Sequence, residues 1–310
     1  MPFFPARLRP ALVLLLAAAG LGLAALAQDR PQAEHLQTAV WPREDHGLGG
    51  FSGLTLSADG TQFLAVTDRG YRVEGILHRE DGRITEIRDA SARRLRDTDG
   101  RITKVQQVDA EGIARGRDGT VFVSFEGNHR IWAYPPREIA ARTVDAPAAF
   151  VRFAANRGLE ALTVDADGTL YTIAEQSVRW MGDFTVWRRT AQGWDDRLTL
   201  PRRGIFFLPV GAEIGPDGRL YVLERAFMGI GFRSRVRRFV VGADGLEDET
   251  VLLTSPLRRH DNLEGLAVWR DGTGAITLTM ISDDNEFRLQ ETQFVEYRMP
   301  GALAPREARR

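Results

Sequence analysis

Apolar runs of about five to eight residues alternate with short polar turns along most of the chain, and five of these units share one phrase. They read FSGLTLSADG (51–60), AEGIARGRDG (110–119), LEALTVDADG (159–168), PVGAEIGPDG (209–218) and LEGLAVWRDG (263–272). The Asp-Gly pairs begin at 59, 118, 167, 217 and 271, and seven residues before each Asp stands Ser52, Glu111, Glu160, Val210 or Glu264. A second apolar run follows each Asp-Gly and closes on an acid: Asp68, Glu126, Glu175, Glu224 or Asp283. Apolar runs flanking Asp-Gly are a hairpin signal, and a repeat of short strands at this length predicts blades around an axis.

In the third unit the pattern predicts strands at 159–164, 170–174, 186–190 and 197–200. Four strands in each of five units give an all-β propeller of five blades, with a divergent sixth left open. Further Asp-Gly turns at Asp81, Asp99 and Asp244 are expected to join outer strands, and 137–142 is the one place where a short helix fits. The last unit has only three strands, near 263–269, 275–282 and 292–299, so the segment His35 to Trp41 is expected to complete it and close the ring.

The first 27 residues depart from this pattern. Arg7 and Arg9 precede an apolar stretch from Ala11 to Ala25, and Ala25-Leu26-Ala27 fits a small-x-small cleavage site. They are read as a signal peptide, with 28–34 a mobile lead-in, 35–300 one propeller domain and 301–310 a loose tail. The expected location is the periplasm or the medium. The segment carries two arginines and no acid, so its loss moves the formal charge from −1 to −3. That balance offers no footprint for nucleic acid, and after cleavage no membrane span is expected. Cysteine is absent, which excludes disulfides, thiolate metal sites and thiol nucleophiles.

The first strand of each propeller blade lines the central channel, so Glu111, Glu160 and Glu264 fall in one ring. Asp68, Glu126, Glu175, Glu224 and Asp283 lie near one rim of it. Carboxylates crowded in this way cannot all remain ionised unaided. Either some keep their protons and brace blade against blade, or a cation sits among them. Oxygen donors without cysteine favour calcium, or else magnesium, over zinc. The run Asp283-Asp284-Asn285 is a further candidate for such an ion, or a plain Asx-rich turn. Arg69 and Arg225 each follow a strand-end acid and are placed to steady an anion. Glu111 and Glu160 are the candidates for acid–base work. No strict G-x-S-x-G, paired metal-binding histidines, phosphate loop or dinucleotide fingerprint occurs.

The segments FSGL and TDRG (67–70), GLEAL with Glu175, NLEGLAVW (262–269), ISDDN (281–285) and QET (290–292) resemble, in order and spacing, the phytase-like proteins with an esterase-like activity. The resemblance spans about residues 45–298. It implies phosphate-ester hydrolysis on a small anionic substrate, by analogy with calcium-dependent propeller phytases, and it transfers no defined catalytic set. A propeller-type sugar-lactone hydrolase and a non-catalytic binding platform of the cell envelope are the alternatives from other classes.

Overall fold

The computed structural model describes residues 33–103, 108–154, 158–175, 177, 181–285 and 287–300. The expected signal peptide, most of the lead-in and the tail lie outside the described residues. Among the described residues no helix is long and apolar enough to cross a membrane.

Twenty strands form five antiparallel four-stranded sheets. Strand β1 (Glu34–Trp41) leads into a single helical turn, α1 (Arg43–His46). The first blade is β2 (Phe51–Leu56), β3 (Gln62–Thr67), β4 (Tyr71–Glu80) and β5 (Arg83–Arg94). The second is β6 (Ala110–Arg115), β7 (Val121–Phe125), β8 (Arg130–Tyr134) and β9 (Arg142–Val144). The third is β10 (Leu159–Val164), β11 (Leu170–Ala174), β12 (Phe184–Thr190) and β13 (Gly193–Leu200). The fourth is β14 (Leu208–Ile214), β15 (Leu220–Phe227), β16 (Phe232–Val241) and β17 (Leu246–Thr254). The fifth holds β18 (Asn262–Arg270), β19 (Ile276–Asp283) and β20 (Thr292–Arg298), and β1 is its fourth strand.

The count is therefore five blades, with no sixth among the described residues. Closure comes from β1 against β20, in a register running from Glu34 opposite Arg298 to Trp41 opposite Thr292. Ala33 is already tied down, its N–H donating to Leu252 O at 3.0 Å. Two local expectations are corrected. Residues 137–142 form a turn and the start of β9 rather than a helix, because the sheet claims the backbone of Arg142. The Asp99-Gly100 turn closes a small bridge between Arg96 and Ile102 in the connection from the first blade to the second, so it joins no outer strands.

The core lies between blades rather than inside one. Val210, Tyr221 and Leu223 of the fourth blade pack with Leu266, Leu278 and Val295 of the fifth. Trp41, Phe63 and Phe294 fill the seam between the first blade and the fifth, with ring centroids 5.3–5.9 Å apart. At the axis the innermost strands touch through glycine. A Cβ on Gly112 would lie 2.8 Å from the carbonyl oxygen of Glu160, and one on Gly211 would lie 2.5 Å from that of Glu264. No side chain fits there. The cavity left along the axis between these strands is about 10 Å³, room for at most a single water.

Candidate metal centre

Each innermost strand carries a β-bulge just above this closed waist. The register against the second strand slips between Phe51 and Gly53, Leu159 and Ala161, Pro209 and Gly211, and Leu263 and Gly265. In the second blade the slip lies between Ala110 and Ile113, where Gly112 N–H donates to Ser124 Oγ at 2.9 Å in place of a ladder bond. The residues at these slips are Ser52, Glu111, Glu160, Val210 and Glu264. A bulge re-aims one side chain out of the alternating pleat. Local backbone geometry thus brings the three glutamates together at the axis, all buried.

A second tier comes from the register at the strand ends. Asp68 N–H donates to Gly50 O, Glu126 N–H to Asp109 O and Glu175 N–H to Gly158 O, at 2.7–3.1 Å. Asn262 faces Asp283, and Leu208 faces Arg225. In the fourth blade the residue equivalent to the strand-end acids is therefore Arg225. Glu224 is one step earlier and, by the strand's two-residue period, on the other face. It is wholly buried there between Arg235 and Arg237, accepting from Arg235 Nε at 2.6 Å and from Arg237 Nη2 and Nε at 2.5 and 2.9 Å.

The closest group of acids is Asp109, Glu111 and Glu126, which each offer a carboxylate oxygen within 4.8 Å of the others. Burial pushes the Glu111 carboxyl well above its usual range, and Glu264, Asp109 and Glu126 add repulsion. Glu160 is raised in the same way, by burial and then by Glu111, Glu175, Glu264 and Glu126. Protons are shared: Glu111 hydrogen-bonds Asp109, and Glu160 hydrogen-bonds Glu126, whose other donor is Gly158 N–H at 2.6 Å. An all-oxygen, under-neutralised donor set with two of its three carboxylates buried fits a hard divalent cation, which would replace the proton between Glu111 and Asp109. Asp109, Glu111 and Glu126 are the residues able to hold it, with Glu160 alongside.

Across the axis Arg225 organises the rest. Its guanidinium donates to Glu264, to Asn262 Oδ1 at 3.0 Å and to Glu175 Oε1 at 3.4 Å. Asn262 Nδ2 donates to Glu264 Oε1 at 2.9 Å and reaches Asp283 Oδ2 at 3.5 Å. Burial raises Glu264 to about 7, with Arg225 pulling it back, and raises Asp283 to about 6. Gly50, at a positive φ of 72°, fits between two acids: its N–H bonds Asp283, and a Cβ there would lie 2.0 Å from Asp68 Oδ1.

The remaining candidates stand apart. Asp284 is buried and meets Arg43 at 3.6 Å. Asn285 donates its N–H to Asp283 Oδ1 at 2.7 Å, so this run is a turn that orients Asp283. Arg69 is exposed at the rim. Two functional positions, Asp109 and Asn262, escaped the sequence reading, although each stands two residues before a ring glutamate.

No curated protein matches the chain. Solved structures resemble it at low identity. The PQQ-bound aldose sugar dehydrogenase of Streptomyces coelicolor is 12% identical over 86% of this chain and 99% of its own, with a TM-score of 0.44. A putative gluconolactonase is 14% identical over 86% and 92%, at 0.43, and a luciferin-regenerating enzyme 12% identical over 86% and 96%, at 0.45. The family described as "Phytase-like: Esterase-like activity of phytase" matches residues 46–286. The chain belongs to the phytase-like family.

Proposed function

We propose that this protein is a divalent-metal-dependent hydrolase of a phosphate ester, with calcium as its resident ion. The observation that carries the reading is the Asp109–Glu111–Glu126 group, with Glu111 and Glu126 buried, whose crowding leaves it short of positive charge. When bound, the ion supplies Lewis-acid polarisation of the phosphoryl oxygen and lowers the pKa of a neighbouring water. Family membership supports ester hydrolysis, and the oxygen-only donors support calcium or magnesium.

The protein's own groups do the rest. Glu160 keeps its proton in this surrounding and is the general acid for the departing alcohol. Arg225 is a positioning residue: it holds Asn262 and Glu264 in place and keeps its charge, which burial opposes and four glutamates sustain. Arg69 meets the anion at the rim. Glu224 has no part in the site.

The Asn262–Glu264–Asp283 arrangement favours a second reading, a lactone hydrolase with one ion at those three residues. A panel of phosphate monoesters and sugar lactones, assayed with calcium, with magnesium and after chelation, separates the two. Phosphate release that is lost on chelation, and lost in Glu160→Gln, supports the proposal. Lactone turnover alone supports the second reading. Neither activity in a folded, calcium-loaded protein contradicts both.

A further inference from the structure

A cleft of about 690 Å³ opens beside this centre, between the fourth and fifth blades. Its walls are the β15–β16 hairpin tip, with Phe227, Ile230 and Phe232, and the loop after β19, with Phe287 and Leu289. Four of these five are far more exposed than large apolar side chains ordinarily are: Phe227 58%, Ile230 71%, Phe287 56% and Leu289 82%. Concentrated exposed apolar surface of this kind marks a binding site.

The cleft is built rather than incidental. Asp261, in the loop between β17 and β18, holds the wall that follows β19, accepting from Gln290 Nε2 at 2.7 Å and Glu291 N–H at 2.8 Å, while its own N–H reaches Gln293 Oε1 at 3.3 Å. The hairpin tip is pinned by Arg258 N–H on Phe232 O at 3.0 Å. Along the chain the cleft adjoins residues of the acidic centre. Phe227 lies two residues beyond Arg225 on the same face of β15, Asp261 precedes Asn262, and Asn285 orients Asp283. The lining also carries Arg258 and Arg259, neither paired with a carboxylate among the described residues, together with Asp261 and Glu291, so it is apolar with a charged edge.

We infer that this cleft holds the apolar arm, aryl or medium-length alkyl, of an anionic ester whose scissile group lies at the acidic centre. The inference rests on the hydrolase reading and narrows it: inositol-like polyhydroxy phosphates lack the group that this surface recognises. The volume suits a ligand of ordinary small-molecule size.

The test uses Phe227→Ala/Phe287→Ala. Both side chains are exposed, so the variant folds. Binding of 1-naphthylmethylphosphonate is followed by calorimetry, and kcat/KM is compared for 1-naphthyl phosphate and methyl phosphate. Burying two aromatic faces supports a loss of about 10- to 100-fold in phosphonate affinity in the variant, and a comparable collapse of the naphthyl-to-methyl ratio. Phosphonate binding that is lost in the variant, in a protein that turns over no phosphate ester, sinks the hydrolase reading and keeps the cleft. Phosphatase activity with an unchanged ratio and unchanged binding overturns the cleft and keeps the hydrolase. Wild-type self-association in sedimentation that the variant abolishes also overturns it, because a second copy would then cover this face.

Discussion

Two buried acidic regions of this propeller use opposite electrostatics. In the fourth blade Glu224 sits wholly buried with Arg235 and Arg237 around it, and Arg237 is further anchored by Glu249 at 2.9 Å. At the axis Asp109, Glu111, Glu126 and Glu160 crowd together, and the nearest organised guanidinium, that of Arg225, is committed to Glu264, Asn262 and Glu175. The first region is complete as folded. In the second, burial and mutual repulsion push the Glu111 and Glu160 carboxyls well above their usual range. Burial of an acid is thus no sign of function by itself; the missing countercharge is.

Removing Glu224 should break the comparison on its structural side. Glu224→Ala leaves two buried guanidiniums under-paired and should cost about 3–5 kcal/mol in denaturant unfolding. Calcium affinity should be unchanged. Arg225→Met takes away the cation that keeps Glu264 ionised. It should cost about 1.5–3 kcal/mol at pH 8 in the metal-free protein, and less at pH 5.5, where Glu264 is protonated. At the centre the sign reverses. Glu111→Gln relieves repulsion and should leave the metal-free protein at pH 8 equally stable or more stable by about 0.5–2 kcal/mol, while removing the stabilisation that calcium confers.

A further effect lies in the pH profile. Asp283, Glu264 and Glu213 all have folded values raised, to about 6, 7 and 8, and Glu213 by burial alone. For a raised group the stabilisation is complete below the unfolded value, near 4, and is lost as pH rises through the folded one. Metal-free melting temperature should therefore fall from pH 5 to pH 8.5. Calcium should flatten the part due to the centre, and Glu213→Gln the alkaline limb that remains. A melting temperature that climbs over this range would contradict the assignment.

The blades were legible because Asp-Gly turns and apolar runs are local signals, and the ring glutamates because the repeat places them. Glu224 misled because the eye follows residue type, whereas the sheet follows count: Glu126, Glu175 and Arg225 each stand eight residues after the Asp of their turn. Asp109 and Asn262 stayed hidden because the loop position before each bulge also holds Gly50, Gly158 and Leu208, so no repeated letter marks it. The apolar cleft was invisible for a different reason. Its residues come from separate loops and meet only when two blades stand side by side.

The most direct measurement is a calorimetric titration of the metal-free protein with calcium, beside Asp109→Asn and Glu111→Gln. Wild-type binding with proton release at pH 7 is expected, with loss of both heat and proton release in each variant. Binding that is unchanged in the variants, or no binding in any of the three proteins, would make the acidic ring part of the architecture and contradict a metal centre at the axis.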